Sequence, residues 1–98
     1  MNVTTGIWGG NYGIRVGITN RDEYFDPLWK EIEVEMDGKM NVFGLTGGFW
    51  NQCPEFRDKG NKVIKDWLTI HKKIPWVKGK PPRFELIPLS KNRFRLDL

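Results

Sequence analysis

Residues 31–36 read Glu-Ile-Glu-Val-Glu-Met. Strict alternation of carboxylate and apolar side chain suits a strand and little else. A strand sends successive side chains to opposite faces, so Ile32, Val34 and Met36 share a buried face while Glu31, Glu33 and Glu35 share a wet one. Asp37-Gly38 then supplies a turn and a second strand follows, which makes 29–45 a hairpin. Two registers compete. A two-residue Asp-Gly loop sets Val34 opposite Asn41 and Glu33 opposite Val42, and the faces mix. A three-residue loop, Met36-Asp37-Gly38 with Gly38 left-handed at a bulge, pairs Val34 with Met40, Ile32 with Val42 and Glu35 with Lys39. The hydrophobic pattern predicts the second, because it gathers the aliphatic residues on one side.

The same reasoning applies to 83–98. A three-residue loop, Ser90-Lys91-Asn92 with Asn92 left-handed, pairs Phe84 with Leu98, Leu86 with Leu96 and Pro88 with Phe94. Glu85 then falls opposite Asp97. Pro88 has no N–H to donate, which predicts an edge strand.

Elsewhere the signals are shorter. Residues 1–13 hold Gly6, Gly9, Gly10 and Gly13 around Trp8 and Tyr12, and read as a turn-rich entry. No Gly-Lys-Ser/Thr follows these glycines and no strand precedes them, so they lack the features of a phosphate loop. Alternation predicts a strand over 14–19 with Ile14, Val16 and Ile18 inward, and the polar 20–27 reads as a connection. Pro54 suits the start of a short helix or turn over 54–58. Asn61 is a good N-cap for a helix over 62–73, whose stripe is Val63, Ile64, Trp67, Leu68 and His71. Pro75 ends it, and 74–82 is an extended linker. The expected fold is α+β. About five strands in two hairpins form a small, mostly antiparallel twisted sheet or partly open barrel, with one main helix packed on it, as a single domain over 1–98.

Function is less marked. A lone Cys53 leaves no internal disulfide and suits a reducing cytoplasm. No apolar run is long enough for a membrane helix, and the first residues lack the basic and apolar regions of a signal peptide. One His and one Cys make no metal-ligand set, no cofactor motif is present, and the only serine, Ser90, sits in an expected turn. Glu31, Glu33 and Glu35 read as the wet face of a strand, and Cys53 with His71 as a small apolar residue and a hydrogen-bonded histidine rather than a catalytic pair.

Charge carries the partner signal. Residues 1–56 balance at −4, 57–83 at +7 and 84–98 at +1. Lys59, Lys62, Lys65, Lys72, Lys73, Lys78, Lys80 and Arg83 surround Trp67 and Trp76, which would suit phosphates and unpaired bases. Trp8, Phe25, Phe43, Phe49, Trp50 and Trp76 exceed what one helix and a small sheet bury, so some are expected to line a pocket or interface. The expectation is a non-catalytic binding or interaction protein that self-associates as a homo-oligomer or meets a protein partner. The alternatives are a nucleic-acid-binding protein using 57–83 and a small basic hydrolase or nuclease. The candidate binding residues are Lys62, Lys65, Lys72, Lys73, Lys78, Lys80, Arg83, Trp76, Trp50 and Trp8.

Overall fold

The computed structural model describes residues 1–98. Seven strands and three short helices follow in the order β1 (Asn2–Trp8), β2 (Asn11–Arg15), α1 (Ile18–Tyr24), β3 (Glu31–Met36), β4 (Lys39–Gly44), α2 (Gly47–Trp50), β5 (Glu55–Arg57), α3 (Val63–Ile70), β6 (Arg83–Ser90) and β7 (Arg93–Asp97). The fold is α+β, with more strands and helices than the sequence suggested. One sheet has the order β4-β3-β7-β6-β1-β2-β5, and every pair is antiparallel except β3 with β7. It is open between its edges, β4 and β5, but the rings of Phe43 and Phe56 lie 5.0 Å apart across that gap.

One face of the sheet is dry. Seventeen buried apolar residues form a single cluster under α3, which contributes Ile64, Trp67 and Leu68. Trp67 meets Phe84 of β6 edge to face at 4.9 Å. Phe25 stacks on Phe94 at 4.8 Å and meets Phe49 at 5.1 Å. Three of the six aromatic residues expected to be in surplus, Phe25, Phe43 and Phe49, are therefore core. Aromatic side chains bury ~150–250 Å² each, so few are needed to fill a core this small.

The first hairpin corrects the expected register. Val34 pairs with Asn41, Ile32 with Phe43 and Met36 with Lys39, around a two-residue turn. Asp37 and Gly38 both take positive φ, 53° and 80°, the backbone of the tight turn whose twist matches a hairpin. Turn chemistry outweighed the aliphatic pattern because the tight register sends Phe43 inward. Met40 and Val42 are exposed on the other face instead.

The second hairpin keeps its register. Leu86 pairs with Leu96, Pro88 with Phe94, and Glu85 does face Asp97. Its turn differs. Lys91, not Asn92, takes positive φ, and the pairing shifts between Pro88 and Ser90. Asn92 is held elsewhere: its carbonyl accepts from the Glu33 N–H at 2.9 Å and its Nδ2 donates to the Glu31 carbonyl at 3.0 Å, joining β7 to β3. Nor is Pro88 on an edge strand, since β6 lies between β7 and β1. The ladder between β6 and β1 covers Arg83–Glu85, so Pro88 lies beyond it and breaks no bond there.

Other boundaries move. The glycine-rich start is a hairpin, with Gly9 and Gly10 at φ 58° and 81°. Strand β2 ends at Arg15, and Ile18 is an exposed helix residue rather than an inward strand one. Residues 55–57 are a strand, not a short helix. Helix α3 is shorter than 62–73, because Lys72 turns left-handed and the Lys73 N–H folds back onto the Leu68 carbonyl at 2.8 Å.

Asn61 does not cap that helix; Asp58 does. Its two carboxylate oxygens accept from the Ile64 and Lys65 N–H groups at 2.8 and 3.1 Å. Burial pushes the Asp58 carboxyl above its ordinary value of 3.8, the two N–H donors pull it back, and nearby Asp66 pushes it up again. A raised folded-state pKa favours the fold when the group is protonated, and this contribution is lost as pH rises through the folded value. The stability of the native chain relative to Asp58→Asn is therefore expected to fall as pH rises from 3.8. Urea denaturation of both proteins across that range checks the sign, and a difference rising with pH would contradict it.

Candidate functional site: a cationic groove on the outer face

Because the inner face is dry, the outer face receives the charges. The ladders set its rows across β1, β2 and β5. Thr4 pairs with Arg15, which pairs with Glu55; Gly6 pairs with Gly13, which pairs with Arg57. Trp8 pairs with Asn11. The Asp58 N–H donates to the Tyr12 carbonyl at 2.9 Å, which continues the register and carries Lys59 towards Asn11.

The central row has no side chains on two of its three strands, and that is what shapes the site. Neither Gly6 nor Gly13 has positive φ; both are needed for space. A Cβ on Gly13 would overlap the Glu55 carboxylate and lie 3.0 Å from the Arg57 Cβ. A Cβ on Gly6 would overlap the Arg15 guanidinium. Arg15 and Glu55 thus both lean over a bare floor and meet there, Nε to Oε2 at 3.0 Å. Arg57 Nη2 stands 3.4 Å from Oε1, within ion-pair range. Oε1 itself is buried and has no hydrogen-bond partner. The Glu55 side chain is 7% exposed. An unpaired buried carboxylate is expensive, and two guanidinium groups offset this one.

The groove above this floor has a volume of about 550 Å³, within the range of small-ligand sites. Trp8 stands at one side and is 71% exposed. Gly44, Thr46, Gly48 and Cys53 form the other, and the Lys59 ammonium reaches over Gly44. Three cations and one carboxylate leave the lining at +2. Guanidinium groups fixed by a buried carboxylate are pre-organised, so less freedom is lost when they bind an anion.

Of the ten candidate binding residues named from the sequence, only Trp8 lines this groove, together with Lys59 of the basic stretch and Cys53. Lys62 stands at the start of α3, Lys65 on it, and Lys72 and Lys73 at its end. Lys78 and Lys80 lie exposed on the linker, and Arg83 opens β6. None of these seven forms an ion pair. Trp76 is half-buried against Tyr12, with ring centroids 6.0 Å apart. Trp50 is half-buried under Arg21, whose Nη1 donates to the Phe49 and Asn51 carbonyls at 3.1 Å each. Glu33 is taken up by Arg93 at 3.1 Å. His71 holds both oxygens of Asp37 at 2.8 and 3.0 Å, while Cys53 sits on the groove rim, so the two have separate partners.

Arg15, Arg57, Lys59 and Glu55 were not singled out together from the sequence. Arg15 looked like the wet position of a strand and Glu55 like the first turn of a helix. The signal that would have found them is the pair Gly6 and Gly13, once β1 is recognised as a strand. Compared with protein-family models, curated proteins and solved structures, the chain matches none.

Gly13→Ala is expected to destabilise the fold by about 1–3 kcal/mol, as overpacking does. Gly6→Ala should be milder, because it meets only the half-exposed Arg15 guanidinium, which can shift at the cost of its bond to Glu55, whereas Gly13→Ala also meets the Arg57 Cβ. Thermal melts of the two variants check the order, and a Gly6→Ala loss equal to or larger than that of Gly13→Ala would contradict the packing described.

Proposed function

We propose that this protein is a non-catalytic binding domain and that its ligand is an anion taken into the groove over β1, β2 and β5. The observation that carries the reading is the buried Glu55 carboxylate, which fixes Arg15 and Arg57 at the floor of a groove with an excess of positive charge. The neighbouring side chains offer no nucleophile and base in contact, and no three His, Cys, Asp or Glu residues gather as metal ligands. No helix is long and apolar enough to cross a membrane; a single thiol on the groove rim suits work in the reducing cytoplasm.

Inorganic tripolyphosphate is a suitable probe. Binding followed by tryptophan fluorescence is expected at low salt and to weaken as salt rises. Arg57→Ala should lower the affinity by about tenfold or more, the worth of a charge-assisted hydrogen bond. Arg93→Ala, which breaks only the pair with Glu33, should leave it unchanged. No binding at low salt, or equal losses in the two variants, would overturn the reading.

Self-association is a second reading, favoured by β4. It is an edge strand, and Met40 and Val42 are exposed along it. Such an edge can pair with another copy. Sedimentation equilibrium should then show a dimer that Val42→Lys converts to monomer, and a monomer at high concentration would overturn it.

A further inference from the structure

The anion site says nothing by itself about why Trp8 stands beside it. Trp8 ends β1, is 71% exposed, and forms none of the aromatic contacts that hold the other four tryptophans. An indole left in water beside three cations adds nothing for a simple anion. It is of use to a ligand that has a flat apolar face as well as negative charge.

The rows limit how those two parts are arranged. Neighbouring strands lie about 4.8 Å apart, so Trp8 and Lys59, at the two sides of one row, have backbones about 10 Å apart, with Arg57 one row along. A nucleotide carries its phosphate and its base on opposite sides of one sugar. A phosphate between Arg57 and Lys59 leaves the base directed at the Trp8 side. On the far wall Gly44 and Gly48 present no side chains, which leaves room for a chain to pass. The base must be unpaired to be stacked, because a duplex hides its faces. Lys59, on the groove lining, has no ion-pair partner, so its ammonium is available to a phosphate. A free nucleotide has no use for the room beyond the two glycines; a strand does.

Resting on the groove being the ligand site, we propose that its ligand is single-stranded nucleic acid, with one phosphate seated between Arg57 and Lys59 and one unpaired base stacked on Trp8. No contact reads base edges, so the binding is tolerant of sequence. The expected signature is affinity that falls steeply with salt and depends on one aromatic ring.

The test uses the full chain and five probes: a short single-stranded oligonucleotide, an abasic strand of the same length and charge, the matching duplex, a mononucleotide and tripolyphosphate. The intact strand is expected to bind about tenfold tighter than the abasic one. Trp8→Ala should remove that difference, and Trp8→Phe should keep most of it. Trp8 packs against no core residue, so both variants are expected to fold, and their melts confirm it. Equal affinity for intact and abasic strands, or a difference that survives Trp8→Ala, overturns the proposal. So does a duplex or a mononucleotide that binds as tightly as the strand. In each of these cases tripolyphosphate binding sensitive to Arg57→Ala leaves the anion groove standing. Loss of tripolyphosphate binding as well removes both.

Discussion

A sheet covered on one face only must send every second side chain to the other face, and this constraint governs the whole molecule. The inner positions of all seven strands meet one apolar cluster under an eight-residue helix. An ionisable group there needs a partner, as Asp58 has in the Ile64 and Lys65 N–H groups, and is costly without one. Charge therefore collects on the outer face, where it sorts itself into pairs: Glu33 with Arg93, Arg95 with Asp97, and Glu55 with Arg15 and Arg57. The first two remain largely in water and contribute little to stability. The third is different, because Glu55 is covered.

The cover comes from the glycines. Gly6 and Gly13 lie opposite each other in the ladder, and the missing side chains open a trough one row wide. Arg15 and Glu55 fill its floor from the row beside it, and the segment from Gly44 to Cys53 closes its far side. Nothing else on the outer face offers both a buried carboxylate and unspent positive charge. The groove is thus a consequence of sheet geometry and two absent methyl groups, not of a special loop.

The sequence made the dry and wet faces of β3 legible, along with the pairing of Leu86 with Leu96 and the part of α3 that carries Trp67. These depend on periods of two and of 3.6 residues, which burial enforces directly. The register of the first hairpin was not legible from aliphatic residues, because a single aromatic, Phe43, outweighed Met40 and Val42. Strand β1 was hidden by the glycines at its end and centre, which carry no pattern. Strand β5 is only three residues long, and Pro54 ahead of it imitates a helix start. The basic stretch was visible, but its lysines are spread along a helix and a linker. The site depends instead on Arg15 and Arg57, residues distant in sequence that only the sheet brings together.

The side-chain Nε–H of Arg15 tests this arrangement most directly. The Arg15 side chain is 54% exposed, but its Nε–H donates to the covered Glu55 carboxylate at 3.0 Å, so in solution this proton should exchange more slowly than in the unfolded chain and give its own resonance by NMR. Glu55→Gln removes the charge while keeping the shape. In that variant the charge-assisted bond becomes a neutral one, so the Arg15 signal should shift towards the position of a free guanidinium and exchange faster, and tripolyphosphate affinity should change with it. An Arg15 Nε–H that exchanges as fast in the native chain as in the unfolded one would contradict the buried, arginine-orienting carboxylate on which the groove depends.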